Sequence, residues 1–262
     1  MNNPTDSSST RRFSNRVSDY LHYRPHYPTA VIDTLAESCG LTADHVIADV
    51  GSGTGFSAEP FLEHGNEVYG IEPNLEMREA GEEYLSGFPR FHSIDGTAEN
   101  TTLAAGSVDF VIAGQAFHWF DREKARGECM RIIRPGGYVA LIWNDRRLDS
   151  SPFLRAYEEL LLTHGTDYET VRHNSLTTID SDLLAHFFRP DGFTARVIPD
   201  YVQRFDFDGV KGRLLSSSYT PGPDEPGFTP MLARLREIFD EHQRGGTVSF
   251  EYDTMIYFGR LS

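Results

Sequence analysis

The run Val46-Ile47-Ala48-Asp49-Val50-Gly51-Ser52-Gly53-Thr54-Gly55 decides how the rest of this 262-residue chain is read. Its first five residues are rich in β-branched side chains and stop at glycine, which marks a buried strand rather than a helix. Glycines at 51, 53 and 55 then let the backbone turn sharply and bring it close to whatever lies opposite, because no Cβ intervenes. The apolar-periodic stretch Phe56–His64 follows as a helix, so the unit is strand, glycine turn, helix. The amides at that helix start would favour an anionic group. A tight strand-to-helix turn with no ligand has the same pattern, and the loop alone does not separate the two.

Outward from this unit, strands and helices alternate. Strand Glu67–Ile71 leads to a helix that Asn74 caps and that runs to about Leu85, with Met77, Ala80 and Tyr84 on one face. Strand Arg90–Ile94, strand Val108–Ala113, a helix near Arg122–Ile133 and strand Tyr138–Trp143 follow, the last after the turn Pro135-Gly136-Gly137. Upstream, Pro28 is placed to open a helix over Thr29–Cys39 that Gly40 closes, and a short proline-broken helix precedes it from Arg12. Residues 1–12 are polar and Ser-rich and read as a disordered tail. After Asn144 the pattern changes. Ser151-Pro152 starts an amphipathic helix, a short one covers about Ser181–Phe188, and Thr229-Pro230 opens another. Segment Phe193–Phe205 and the terminal Thr247–Leu261 are extended. The expected fold class is α/β: a Rossmann-like, doubly wound, mostly parallel sheet of seven strands with an antiparallel terminal strand. Residues 13–262 form a single domain in this reading, with a helical cap over about 145–245 inserted before the last strand.

Bulk properties narrow the function. The net charge of −15 repels phosphate backbones and anionic lipid, and the basic residues occur only as short pairs such as Arg11-Arg12 and Arg146-Arg147. A nucleic-acid or membrane partner is therefore disfavoured, and a small molecule is the expected one; oligomeric state is not legible. No stretch approaches the roughly 20 apolar residues of a membrane span, and the N-terminus has no apolar signal region. Cys39 and Cys129 lie in helical segments without ligand spacing, so buried thiols and a cytoplasmic location are expected.

Glu72 sharpens the glycine loop. It ends the second strand, where a doubly wound sheet presents a carboxylate to the ribose of a nucleoside in the crevice. The dinucleotide fingerprint needs Gly-x-Gly-x-x-Gly, and position 56 here is Phe. The compact Gly51-Ser52-Gly53-Thr54-Gly55 suits a ligand with an amino-acid tail instead of a pyrophosphate. A nicotinamide-dependent oxidoreductase and a non-catalytic nucleoside-binding module remain the alternatives.

At these residues the sequence resembles the class I S-adenosylmethionine-dependent methyltransferases. Asp49 with the glycine loop is similar to their first motif, and Gly70-Ile71-Glu72-Pro73-Asn74, with Met77, to their second. Asp95-Gly96-Thr97-Ala98-Glu99, the run Val108 to Phe120 containing Gln115-Ala116-Phe117-His118-Trp119, and Arg134-Pro135-Gly136-Gly137 resemble later motifs. Gln115–Phe120 and the leading segment with Tyr20, Tyr23, Arg24, Pro25 and Tyr27 resemble small-molecule methyltransferases, including those related to trans-aconitate methyltransferase. The resemblance covers about residues 12–145. It implies S-adenosylmethionine as cofactor and methyl transfer to a small molecule, most simply to a carboxylate or hydroxyl oxygen. It implies that Gly51, Ser52, Gly53 and Gly55 form the loop against the methionine part, that Asp49 favours its ammonium, and that Glu72 takes the ribose hydroxyls. Pro73 and Met77 would pack near adenine, Thr97, Ala98 and Glu99 would line its edge, and Gln115 would close under the sulfonium. Tyr20, Tyr23 and Arg24 would lie over the cofactor, with Arg24 at its carboxylate.

For catalysis, His118 is the histidine of the crevice motif, open to three roles: base, substrate contact or structural hydrogen-bonder. Phe117, Trp119 and Phe120 read as an apolar substrate wall or as core. Arg146, after the fifth strand, reads as a clamp for an acidic substrate or as a salt bridge. The ten histidines are scattered without ligand spacing, so no metal is expected.

Overall fold

Strand β1 (Val46–Val50) is buried along almost its whole length, as its β-branched composition requires. The structure is a computed structural model that describes residues 22–173 and 181–262, without the side chains of 171–173. Parallel pairing sets β1 against β2 (Glu67–Ile71) on one side and β4 (Val108–Gly114) on the other, with Asp49 opposite Gly70 and Ile112. With β3 (Phe91–Ile94), β5 (Ile133–Arg146), β6 (Thr194–Phe205) and β7 (Val248–Gly259), the sheet runs β3-β2-β1-β4-β5-β7-β6. β7 is antiparallel to both β5 and β6, so it alone reverses the sheet direction. The order turns back between β1 and β4, and in such sheets ligands bind in the crevice outside the strand ends at that point.

Alternation along the strands divides the core into two layers. Ala48, Val50, Val111, Ala113, Leu141 and Trp143 face one side, where α4 (Arg122–Ile132) and α7 (Ser181–Phe187) cover them. Ile47, Val68, Phe110, Ile112 and Ile142 face the other, under α1 (Ala30–Cys39) and α2 (Glu59–His64). Helix α3 (Leu75–Tyr84) connects β2 to β3. A third cluster lies apart, built by α5 (Pro152–His164), α8 (Phe207–Leu215), α9 (Phe228–His242) and the early part of β7. Between α5 and α7 the short α6 covers Tyr168–His173.

The structure moves several expected boundaries. Helix α2 starts at Glu59, not Phe56, because residues 54–58 form turns and Pro60 suits only a first helical turn. Helix α1 begins at Ala30 rather than directly after Pro28. β5 absorbs Arg134-Pro135-Gly136-Gly137, where the expected turn survives as a register shift against β4 between Val108 and Phe110. Helices α6 and α8 were not expected. Gly209 and Gly212 weaken the helical pattern of α8, although Asp206 caps it by accepting from the Gly209 amide at 2.9 Å. Asn74 caps α3 as expected, accepting from the Met77 amide at 3.0 Å. Cys39 and Cys129 are free thiols, pushed up by burial to about 11 and about 12. No helix among the described residues is long and apolar enough to cross a membrane, and no described cluster of His, Cys, Asp or Glu has the makings of a metal site.

Candidate functional site

The glycine turn sits at the switch point. Gly51, Gly53 and Gly55 have φ of 70°, 55° and 88°, the left-handed region that favours glycine. The amides of Gly51 and Ser52 both donate to the Ile71 carbonyl, which ties the loop to the end of β2. A Cβ at Gly51 would lie 2.7 Å from Cβ of Ala116, so the segment after β4 rests directly on the loop. Gly55 has a different task. A Cβ there would meet Leu85 at 2.5 Å, and Gly55 faces that packing rather than the cleft.

Two carboxylates organise the loop. Glu72 accepts from the Gly53 amide at 3.0 Å and from the Asn74 amide at 2.9 Å, one through each oxygen. Burial raises its pKa above the usual range, against those two amides. Asp49 is fully buried at the end of β1. Its Oδ2 accepts from the Ser57 hydroxyl at 2.7 Å, while Oδ1 has no partner. Burial, with Glu72 nearby, pushes Asp49 up to about 7 despite the Ser57 bond. A buried carboxylate oxygen with no donor, beside a glycine turn, is the position a ligand cation would fill.

A narrow cleft opens over the loop. Gly51, Ser52 and Gly53 line it with Gly114 and Gln115 at the end of β4, and Arg24, Pro25 and Tyr27 close it from above. Gln115 has φ of 54°, uncommon for a residue with a Cβ, and its amide donates to the Ile142 carbonyl. Segment 24–27 is held there by Asn144, whose Nδ2 donates to the His26 carbonyl at 3.0 Å. Tyr27, Phe56, Ser57 and Gly114 also line this site, although the sequence reading gave none of them a binding role. Tyr27 was visible in the leading motif, whereas Gly114 matters only because a Cβ there would strike Ser57 at 2.6 Å. A larger open groove of about 550 Å³ runs beside the end of β5. Its Arg147 is matched with Asp200 and Asp253, and no residue of the glycine turn lines it, so size does not make it the site.

The remaining expected residues fall as follows. Met77 is buried with its methyl near Gly53, whereas Pro73 is exposed. Thr97 and Asn100 pair their backbones, Ala98 is core, and Glu99 accepts from the Asp121 amide at 2.8 Å. Tyr20 lies outside the described residues. Tyr23 is displaced from the cleft: its ring lies on Gly212 of α8 and edge-on to Phe205. Phe117 is core and not substrate wall, fully buried at the start of a one-turn helix and packed edge-on against Phe120 and Phe187. Trp119 is 48% exposed. Arg146 is not a solvated pair but a buried one, with Nη2 donating to Glu158 at 2.5 Å and to the Tyr168 hydroxyl at 3.0 Å.

His118 follows Phe117 on the same turn and does not line the narrow cleft. Its Nδ1 is buried without a partner, and burial, with Arg122 adding to it, lowers the imidazole to about 4. It is therefore neutral at physiological pH and a weak base. Its titration leaves kcat unchanged between pH 5.5 and 8 in our expectation, and a pH–rate profile compared with His118→Asn checks this. A wild-type inflection near 6.5 that the variant loses would contradict it.

The profile of a family described as "Methyltransferase domain" matches residues 48–141. An uncharacterized methyltransferase of Mycobacterium tuberculosis is 36% identical over 134 residues, covering 51% of this chain and 52% of that protein. Another from Geobacillus kaustophilus is 30% identical over 169 residues, covering 63% of this chain and 74% of that protein. The match thus spans about half the length of the mycobacterial relative. A solved protein of Anaeromyxobacter dehalogenans, named for a type II methyltransferase, shares the fold with a TM-score of 0.66. That likeness covers 91% of this chain and 98% of the other at 23% identity.

Proposed function

Because the chain belongs to the class I S-adenosylmethionine-dependent methyltransferases, we propose that it transfers a methyl group from S-adenosylmethionine to a small molecule in the cleft over the glycine loop. The observation that carries the reading is the pairing of two carboxylates across one loop, Asp49 buried and Glu72 half-buried. Glu72 holds the Gly53 amide and keeps lone pairs for ribose hydroxyls, and Asp49 keeps an unpartnered oxygen for an ammonium. When bound, the cofactor supplies a methyl already activated on a sulfonium.

The chain's residues then have to position and exclude. Gly51, Ser52 and Gly53 offer close backbone approach on one side, and Arg24, Pro25 and Tyr27 shut out water on the other. Gln115, set by its positive φ, closes the floor at the end of β4. Thr97, Ala98, Glu99 and Met77 would border the adenine. His118, neutral and half-buried, would contribute a hydrogen bond rather than take a proton. An acceptor nucleophile that is already anionic needs no base. The reading is tested by incubating the full chain with methyl-labelled S-adenosylmethionine and a panel of carboxylic acids, phenols and amines. Label should appear in a small-molecule product; label recovered only as unreacted cofactor would oppose the reading.

Asp49 gives a second expectation, with a definite sign. A carboxylate raised by folding contributes stability fully present below its ordinary value of 3.8 and lost as pH rises through about 7. A ligand ammonium reverses that preference, so binding releases the Asp49 proton. Affinity for S-adenosylhomocysteine should rise with pH up to about 7, by at most about tenfold per unit, and then level off. Calorimetry in buffers of different ionisation heat should find a proton released near pH 6. Proton uptake, or none exchanged, would count against Asp49 facing the ammonium.

A further inference from the structure

Beside the cleft lies a buried group of charges that the cofactor reading leaves unused. Arg213 of α8 is 6% exposed. Its Nε donates to the Tyr252 hydroxyl at 3.2 Å and its Nη1 to the Ser217 hydroxyl at 3.3 Å, both neutral. Among the described residues, no carboxylate lies within ion-pair range of it. Arg146 has one carboxylate, Glu158, and its Nη1 is buried without a partner. The hydroxyl of Tyr157, a residue 1% exposed, also lacks a partner, and the Arg146 guanidinium lies 5.2 Å from its ring centre. Tyr219 stands among these groups, and Arg213, Arg24 and Arg146 together hold its phenol below the usual range against burial.

Such an arrangement is costly for a protein alone. A guanidinium cannot shed its proton, and a buried charge without a counter-charge is strongly unfavourable. The group connects to the cleft through Asn144 and Arg24, while Arg146 and Glu158 also line the open groove beside the end of β5. Arg146 and Asn144 are two apart on β5 and so share a face, and Asn144 fastens segment 24–27 over the glycine loop. Arg24, which lines the cleft, donates to the Ser216 carbonyl at 2.8 Å and meets the same Ser217 hydroxyl that takes Arg213.

We propose that Arg146, Arg213 and Tyr157 anchor a carboxylate of the methyl acceptor, so that the substrate is a small carboxylic acid. The inference rests on the methyltransferase reading and names the substrate class of that site. An acid seated here supplies the missing counter-charge to Arg213 and acceptors for Arg146 Nη1 and the Tyr157 hydroxyl. A carboxylate clamped in this way is a poor nucleophile, so the reacting atom is a second group on the same molecule, nearer Gln115.

The test titrates the full chain, saturated with S-adenosylhomocysteine, with glutarate, benzoate and cinnamate, each beside its primary amide. At least one acid should bind about tenfold or more tighter than its amide. Tyr157→Phe should cost that acid about tenfold, leave the amide unchanged, and preserve the melting temperature, since the lost hydroxyl had no partner. Arg213→Gln should abolish the preference for acids without lowering the melting temperature, and Tyr157→Phe decides should that variant fail to fold. Equal treatment of acids and amides, including no binding by either, overturns the inference while leaving the cofactor reading intact. Failure of S-adenosylhomocysteine itself to bind overturns the cofactor reading and this inference with it.

Discussion

Replacing Glu72 by alanine should weaken S-adenosylhomocysteine binding by about 2–3 kcal/mol, roughly 30- to 150-fold, while the protein stays folded. The carboxylate has three tasks on one side chain. It accepts the Gly53 amide, which fixes the loop, and the Asn74 amide, which leads into α3; under the proposed function it also holds the ribose hydroxyls. Alanine strands both amides and removes the ligand's partner together. The fold is spared because Asn74 still caps α3 through Met77 and the loop remains tied to the Ile71 carbonyl. Glu72→Gln keeps an acceptor oxygen and should lose only about tenfold. Calorimetric titration of the three proteins, with melting curves alongside, checks the order. Unchanged affinity in Glu72→Ala would remove Glu72 from the site.

Gly51→Val should abolish measurable cofactor binding and lower the melting temperature. Two costs combine. A β-branched residue at φ of 70° is strained by about 1–2 kcal/mol, and its Cβ would lie 2.7 Å from Ala116 and 3.4 Å from the Phe120 ring. Relief requires the loop to move off the segment after β4, which opens the cleft floor. Gly106→Ala is the control, since Gly106 has φ of 60° with open space around its Cβ position. That variant should lose stability through backbone strain alone and keep full affinity. Equal loss of affinity in both would mean that global destabilisation, not loop geometry, governs binding.

Much of this was legible in the sequence because it is local. The β-branched run before Gly51 dictates a buried strand, and Asn74 announces its helix by capping it. The order of glycine turn and Glu72 follows from strand and helix alternating along the chain. The surroundings of Tyr23 and the choice between wall and core for Phe117 were not legible, for a non-local reason. Tyr23 rests on Gly212, far along the chain, and nothing in the leading motif shows which ring finds that gap. Phe117 packs on Phe187 of α7, about seventy residues further along the chain. Arg146 is the sharpest case. Beside Arg147 it reads as half of a solvated basic pair, yet strand alternation turns Arg147 to Asp253 and Arg146 inward to Glu158. Its partners Tyr157, Glu158 and Tyr168 come from α5 and α6, so only the folded chain brings that cluster together.

The central claim is that the cleft over Gly51–Gly53 holds S-adenosylmethionine rather than a nicotinamide dinucleotide. Phe56 stands where the dinucleotide fingerprint needs glycine, and the unpartnered Asp49 oxygen suits a ligand cation rather than a pyrophosphate. Isothermal titration of the purified chain with S-adenosylhomocysteine and, separately, with NAD addresses this directly. Saturable one-to-one binding of S-adenosylhomocysteine with no heat from NAD is the predicted result. Binding of NAD with none of S-adenosylhomocysteine would contradict it.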